Sequence, residues 1–226
     1  MNFAGEEIKK TTKEANSKFS EDLNKLVSLY HTAAREKGWW DNPRTDYSIH
    51  ALFLSEISEA VEELRKPAFP EVNSHKGNAL YYNDPESGKA IAGVHVDKET
   101  KIPLYKPEGV AVEMADFVIR GLDYFGYMEW EVKQVSDKQL GTFLAQSGLE
   151  LVPEFFKELN AMQIISETIC EARRRKGKGG EILLSIAFAL CEKYVRTEYD
   201  MDFLDVIKLK GDFNTKRSKR HGGKKY

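Results

Sequence analysis

The sequence predicts an all-α protein, a single helical domain over 1–226 with a small β-hairpin or loop inserted at 67–107. Three observations point to it. Apolar residues recur at three- and four-residue intervals through most of the chain. Hydrophobic residues make up 41% of the 226 positions, enough for one well-buried core. Only "ALYYNDPESGKAIAGVHVDKETKIPLYKPEG" breaks the helical period, with Tyr and Val runs around an Asp-Pro-Glu-Ser-Gly turn.

In chain order, Ser20 is placed to cap a helix running to about Lys37, with Leu23, Leu26, Val27, Tyr30 and Ala34 on one side. "KGWWDNPRTD" interrupts the period with Gly38 and Pro43. Asp46 suits the N-cap of the next helix, Tyr47 to about Lys66, and Pro67 ends it. After the insertion a helix runs from about Glu108 to Phe125. Further helices are expected at about 128–139, 153–176, 180–197 and 201–211, with "RRRKGKGG" as a break between two of them. "ISETICEARRRK" echoes "LSEISEAVEELRK", and "EILLSIAFALCEKYV" echoes "VEMADFVIRGLDYFG". These echoes fit an internal duplication whose second copy has lost its acids, or amphipathic helices that resemble one another generically.

Charged residues reach 31% and nearly cancel, at net −2, so no strong overall field is expected. The basic C-terminal tail, 208–226, departs from this balance, with Asp212 the one acid among many lysines and arginines. No apolar run suggests a membrane span or a signal peptide. Cys170 and Cys191 lack metal-ligand spacing and read as buried thiols, which suits a reducing cytosol.

The chemistry-bearing residues are acidic. On a helical wheel, Glu56, Glu59 and Glu63 form one stripe beside the apolar face of 47–66, while Glu62 points to solvent. In 108–125 apolar residues cover most of the circumference, yet Glu113, Asp116, Arg120 and Asp123 share a narrow polar sector. Carboxylates in so apolar a helix are costly unless a cation compensates them, and one arginine does not balance this set. Two E-x-x-E/D pairs facing each other would offer Glu56, Glu59, Glu113 and Asp116 to one or two hard cations. All-oxygen ligation favours Mg2+ or Mn2+. Surface salt-bridge faces are the bland alternative. A di-iron bundle needs E-x-x-H and an HD-type phosphohydrolase needs a His-Asp dipeptide; neither is present. A non-catalytic helical module that binds nucleic acid or a partner through the basic tail is disfavoured, because it leaves Glu113 and Asp116 unexplained. His31 and His50 read as structural or pocket-rim residues.

"SEISEAVEEL" followed by "GVAVEMADFVIRGLDYFG" resembles the all-α NTP pyrophosphohydrolase superfamily, which includes MazG-like proteins, helical dUTPases and dCTPases, and phosphoribosyl-ATP pyrophosphatases. Glu56 and Glu59 match the first half of its acidic motif, and Glu113 and Asp116 match the second. Ser55 stands where many MazG proteins carry an additional glutamate. "KGWWD" and "FNTKRSKRHGGKK" resemble a MazG-like subgroup of bacteria and their phages. The resemblance covers Ser20–Lys66, Lys106–Tyr127 and the last fifteen residues. It implies a MazG-like bundle in which Mg2+, or Mn2+, supports hydrolysis of a nucleoside triphosphate, by family habit a dNTP, to the monophosphate and pyrophosphate. It also implies a cytoplasmic setting and an active site of four helices, often completed by a second copy; here the second half of the chain could supply those helices, and homo-oligomerisation stays open. Glu59 or Glu63 would position the attacking water. Substrate contacts are expected from Lys37, Trp39, Trp40, Arg120, Asn214, Arg217, Arg220, His221 and Lys224.

Overall fold

A helix with so few polar residues needs neighbours on nearly every side. In the computed structural model, helix α3 (Val110–Met128) has them. It packs against α1 (Phe3–Glu36), α2 (Asp46–Arg65), α6 (Gly180–Tyr199) and α7 (Phe203–Thr215). Helix α5 (Glu158–Arg175) lies against α6 and α2, and α4 (Asp137–Gln146) borders a groove with α5 and α6. The structure describes residues 3–66, 78–83, 90–91, 105–146, 158–175 and 179–216, with side chains from 18 onward except at 91, 137 and 158. Among these the chain is all-α apart from a small sheet, and no helix is long and apolar enough to cross a membrane. Aromatic rings knit the centre: Phe53 meets Phe117 edge-on at 5.7 Å, and Phe188 sits 5.5 Å from both Phe117 and Phe125. Cys191 is buried in this core as a free thiol, and Cys170 is likewise unbridged.

The insertion forms three short antiparallel strands in the order β2-β1-β3: β1 (Tyr81–Asn83), β2 (Ala90–Ile91) and β3 (Pro107–Glu108). Tyr82 pairs with Ile91 on one side and Pro107 on the other. Glu108 is therefore in a strand rather than at the start of a helix. The sheet is locked between two helix ends. Asn78 Nδ2 donates to the carbonyls of Glu63 (3.1 Å) and Lys66 (2.9 Å), satisfying the end of α2. The carbonyls of Asn78 and Ala79 accept from the N–H groups of Val110 and Ala111, at 2.9 and 3.0 Å, satisfying the start of α3. This approach leaves no room for a side chain at Gly109, where a Cβ would sit 2.4 Å from the Asn78 oxygen. Its φ of 117° is also one that only glycine adopts readily.

Several boundaries differ from the sequence reading. Helix α1 runs through Ser20, which is buried in mid-helix and caps nothing, because Phe19 continues the packed face against Phe203, 6.3 Å away. Thr45, not Asp46, caps α2, accepting from Ser48 N–H at 3.2 Å. Helix α2 ends at Arg65, and Pro67 lies outside the described residues. The expected helix at 128–139 is instead an irregular segment over 129–136, between the end of α3 and the start of α4. Glu129 turns out of α3 with φ 55°, and Val132 is clamped by Asn24, which donates to its carbonyl (3.0 Å) and accepts from its N–H (2.8 Å). The i,i+3 spacing of buried Val132 and Val135 imitates a helix face there. The actual helix, α4, starts at a capping box in "SDKQ": Gln139 N–H donates to Ser136 Oγ (3.3 Å) and Ser136 N–H to Gln139 Oε1 (2.9 Å). The tail expected from 208 is helical to Thr215 and docked on α3, since Val206, Ile207 and Lys210 lie on its buried face.

The two hairpins α2–α3 and α5–α6 share a device. Both α3 and α6 begin after a glycine of positive φ, Gly109 and Gly179, and both end at an acidic residue in the left-handed region, Glu129 and Asp200. The surroundings of the two glycines differ, which yields a prediction. Gly179 has open space around its missing Cβ. Gly109→Ala is expected to destabilise by about 3 kcal/mol or more, whereas Gly179→Ala should cost only the backbone strain, about 1 kcal/mol. Urea titration of both variants measures the difference.

Candidate functional site

The acidic cluster sits where α2, α3, β3 and α7 meet. Helix α2 presents Glu56, Glu59 and Glu63 along its side, and α3 presents Glu113 against them. Carboxylate oxygens of Glu56, Glu59 and Glu113 lie within 4.8 Å of one another, close enough to share a cation. A second trio, Glu63, Glu108 and Glu113, meets the same limit, so Glu113 belongs to both. Glu56 and Glu113 are each only 3% exposed. Glu59 is exposed, and Glu62 faces solvent with Arg65, as expected from its wheel position.

Asp116 is not part of either trio. Its carboxylate takes an ion pair from Lys210 at 3.0 Å and a hydrogen bond from Asn214 Nδ2 at 3.1 Å, both from α7. The predicted metal quartet is thus corrected in geometry: three members converge, and the fourth is held by a lysine that the sequence reading passed over. Lys210 is 1% exposed and fully committed to this corner. Burial pushes its ammonium down, but the charges of Asp116 and Glu113 outweigh that and hold it raised. A signal for it existed. Phe203, Val206, Ile207, Lys210 and Gly211 share one helical face, so a lysine there must be buried and must have an acid opposite.

Other cations are spoken for. Arg120 does not pair with Asp116 one turn away; its Nε lies 2.6 Å from Glu56 Oε1, across the α2–α3 seam. Lys66 Nζ reaches Glu63 at 2.5 Å, and Tyr81 Oη donates to the other Glu63 oxygen at 3.0 Å. Lys106 pairs with Glu108 at 2.5 Å. Among the described residues, six clustered carboxylates meet four cationic side chains. The deficit falls on exposed Glu59 and buried Glu113, whose carboxylates make no hydrogen bond or ion pair among the described residues. Burial raises the Glu113 carboxyl to about 8, with Lys210 opposing and Asp116, Glu108 and Glu56 adding to it. Burial likewise raises Glu56 to about 7, with Arg120 opposing and Asp116 and Glu59 adding. An unpartnered buried carboxylate among further carboxylates is a donor set that fits a hard divalent cation.

Beside the cluster opens a cavity of about 150 Å³ between α1, α2, α3 and α7. It gathers most of the predicted substrate contacts: Lys37, Trp39, Trp40, Arg120 and Asn214 line it together with Asp116. Their present roles differ. Lys37 Nζ donates to the carbonyls of Asn214 and Thr215, closing the C-terminal end of α7. Trp40 is a wall: it stacks on Tyr127 at 4.1 Å and donates Nε1–H to Asp123 Oδ1 at 2.8 Å. The guanidinium of Arg44 lies over both indoles, 5.3 Å from Trp39 and 5.8 Å from Trp40. His31 Nδ1 meets Asp123 Oδ1 at 2.8 Å, His50 is buried with Nδ1 against the Asp46 carbonyl, and neither belongs to a carboxylate trio. Arg217, Arg220, His221 and Lys224 lie outside the described residues.

No protein-family model, curated protein or solved structure matches this chain.

The raised carboxyls make stability depend on pH in a defined direction. Each favours the protonated folded chain, so its stabilising contribution is complete below pH 4.5 and is lost as pH rises through about 7 for Glu56 and about 8 for Glu113. Without divalent ions, the melting temperature should therefore fall from about pH 5 to about pH 8.5, and less so in Glu113→Gln. Saturating Mg2+ or Mn2+ should raise it by about 5–10 °C near pH 8 and by much less near pH 5, where protons compete for the ligands. Calorimetric scans across pH, with and without the ion, provide the measurement.

Proposed function

We propose that this chain is a metal-dependent hydrolase that cleaves a nucleoside triphosphate to the monophosphate and pyrophosphate, as its resemblance to MazG-like enzymes implies. The observation that carries the reading is Glu113: a carboxylate 3% exposed, without a partner among the described residues, and within 4.8 Å of Glu56 and Glu59. The aromatic cavity that adjoins it supports a nucleoside rather than a bare polyphosphate as the substrate.

Glu56, Glu59 and Glu113 would hold Mg2+ or Mn2+. The bound ion would neutralise phosphate charge and lower the pKa of an attacking water. The rest falls to the chain. Glu56 and Glu113 would have to be deprotonated to hold the ion, which would tie activity to alkaline pH. Arg120, at the seam between Glu56 and the cavity, is placed to take a phosphate oxygen. Lys210 keeps Asp116 in place and leaves its charge balanced. Of the two candidate water-positioning residues, Glu59 is favoured: it is exposed and has no partner among the described residues. Glu63 is 5% exposed and held by Lys66 and Tyr81, which suits support of the cluster rather than proton transfer.

A panel of NTPs and dNTPs with Mg2+ and Mn2+, resolving pyrophosphate from orthophosphate, tests this reading. Monophosphate plus pyrophosphate is expected. Glu113→Gln should lower kcat by about 1000-fold or more, Glu59→Gln by about 100- to 10,000-fold, and Glu63→Gln by about tenfold. Absence of cleavage, release of orthophosphate, or full activity in Glu113→Gln would overturn it.

A further inference from the structure

Helix α3 carries a third acid on the same face. Asp116, Arg120 and Asp123 follow one another at i, i+4 and i+7, and all three line the cavity. Asp123 is thus about 10 Å along the helix axis from Asp116, at the end of the cavity remote from the carboxylate cluster. It is a carboxylate in an aromatic chamber, with Trp39, Trp40 and Tyr124 among the lining residues. Its role in the fold accounts for only half of it. His31 and Trp40 both bond to the same oxygen, Oδ1, each at 2.8 Å. Oδ2 has no hydrogen bond among the described residues, and the side chain keeps 16% of its surface accessible. Here both donors fix one oxygen and leave the other as an acceptor held at a set position.

We propose that Asp123 reads the base of the substrate and that the base is guanine; the inference rests on the triphosphate reading above. With the phosphates at the carboxylate cluster, the base lies along α3 toward Asp123. The cavity, about 150 Å³, admits one ring system and not a whole nucleotide. A carboxylate selects bases by the donors on their pairing edge. Guanine presents N1–H and its 2-amino group side by side, so both N–H groups can converge on the one remaining acceptor, Oδ2. Thymine and uracil present a single N–H between two carbonyls, whose oxygens would face the carboxylate. Adenine and cytosine present an amino group beside an unprotonated ring nitrogen, which also faces it. Arg44, over the two indoles, brings donors to the same end of the cavity, suited to the guanine O6.

The test uses the full chain with Mg2+ and compares kcat/KM for dGTP, dITP, dATP, dCTP and dTTP. The expected order has dGTP first, dITP about tenfold lower because it lacks the 2-amino group, and dTTP about 100-fold lower or more. The variant Asp123→Asn keeps an oxygen for His31 and Trp40 and turns an amide N–H2 toward the base. Its kcat/KM for dGTP should fall about 10- to 100-fold, and dGTP should lose its lead over the other dNTPs, because the amide N–H2 faces the guanine N–H groups as a donor. Equal turnover of all the natural dNTPs, a preference for dATP, dCTP or dTTP, or a retained guanine preference in Asp123→Asn would overturn the inference while leaving the hydrolase reading intact. Failure to cleave any triphosphate would instead overturn the reading beneath it. Should Asp123→Asn not fold, the dGTP to dITP ratio of the unaltered chain decides the matter.

Discussion

The carboxylate of Glu113 lies inside the protein with no group to neutralise it directly, and the surrounding architecture answers to that fact. A buried ionised group is tolerated only among charges and dipoles arranged for it. The chain arranges them from three directions. Helix α2 supplies Glu56, Glu59 and Glu63, β3 supplies Glu108, and α7 supplies Lys210. The β insertion joins the helix ends that carry them, because Asn78 and Ala79 bond to the last turn of α2 and the first turn of α3. Gly109 permits that junction by having no side chain. Without it the separation of Glu63 and Glu113 would be set by a long loop rather than by hydrogen bonds.

Lys210 shows how the cluster avoids collapsing into simple ion pairs. By binding Asp116 it satisfies one acid fully and lowers the charge around the others only partly. Arg120 does the same for Glu56. Both acids most deeply enclosed, Glu56 and Glu113, remain raised in spite of these cations. This is the balance expected of residues that exchange protons for a divalent ion: enough compensation to fold, too little to be inert. The same helix then continues past the charged end into an aromatic chamber, so one stripe of α3 borders both the carboxylate cluster and the cavity.

Most helices were legible because a 3.6-residue apolar period survives whatever the helix packs against. The errors came where a local pattern had two explanations. Val132 and Val135 have helix spacing but lie in an irregular segment pinned by Asn24, a contact between residues far apart in sequence. Ser20 has the chemistry of a cap but lies within a helix that Phe203 extends by packing on Phe19. Ser136 was passed over inside the expected helix at 128–139, although its S-x-x-Q box caps the true start of α4.

By itself, the sequence determined that Glu56, Glu59 and Glu63 share a stripe and that Glu113 and Asp116 lie in a helix too apolar to be exposed. Both follow from the fixed rotation per residue of a helix. Only the tertiary structure decided which of these acids meet. Asp116 turned to Lys210, Glu108 entered the cluster from a strand, and Asp123, bonded by His31 and Trp40, came to line a pocket. Periodicity fixes direction about one helix axis, whereas the distance between two side chains on different elements depends on how those elements pack.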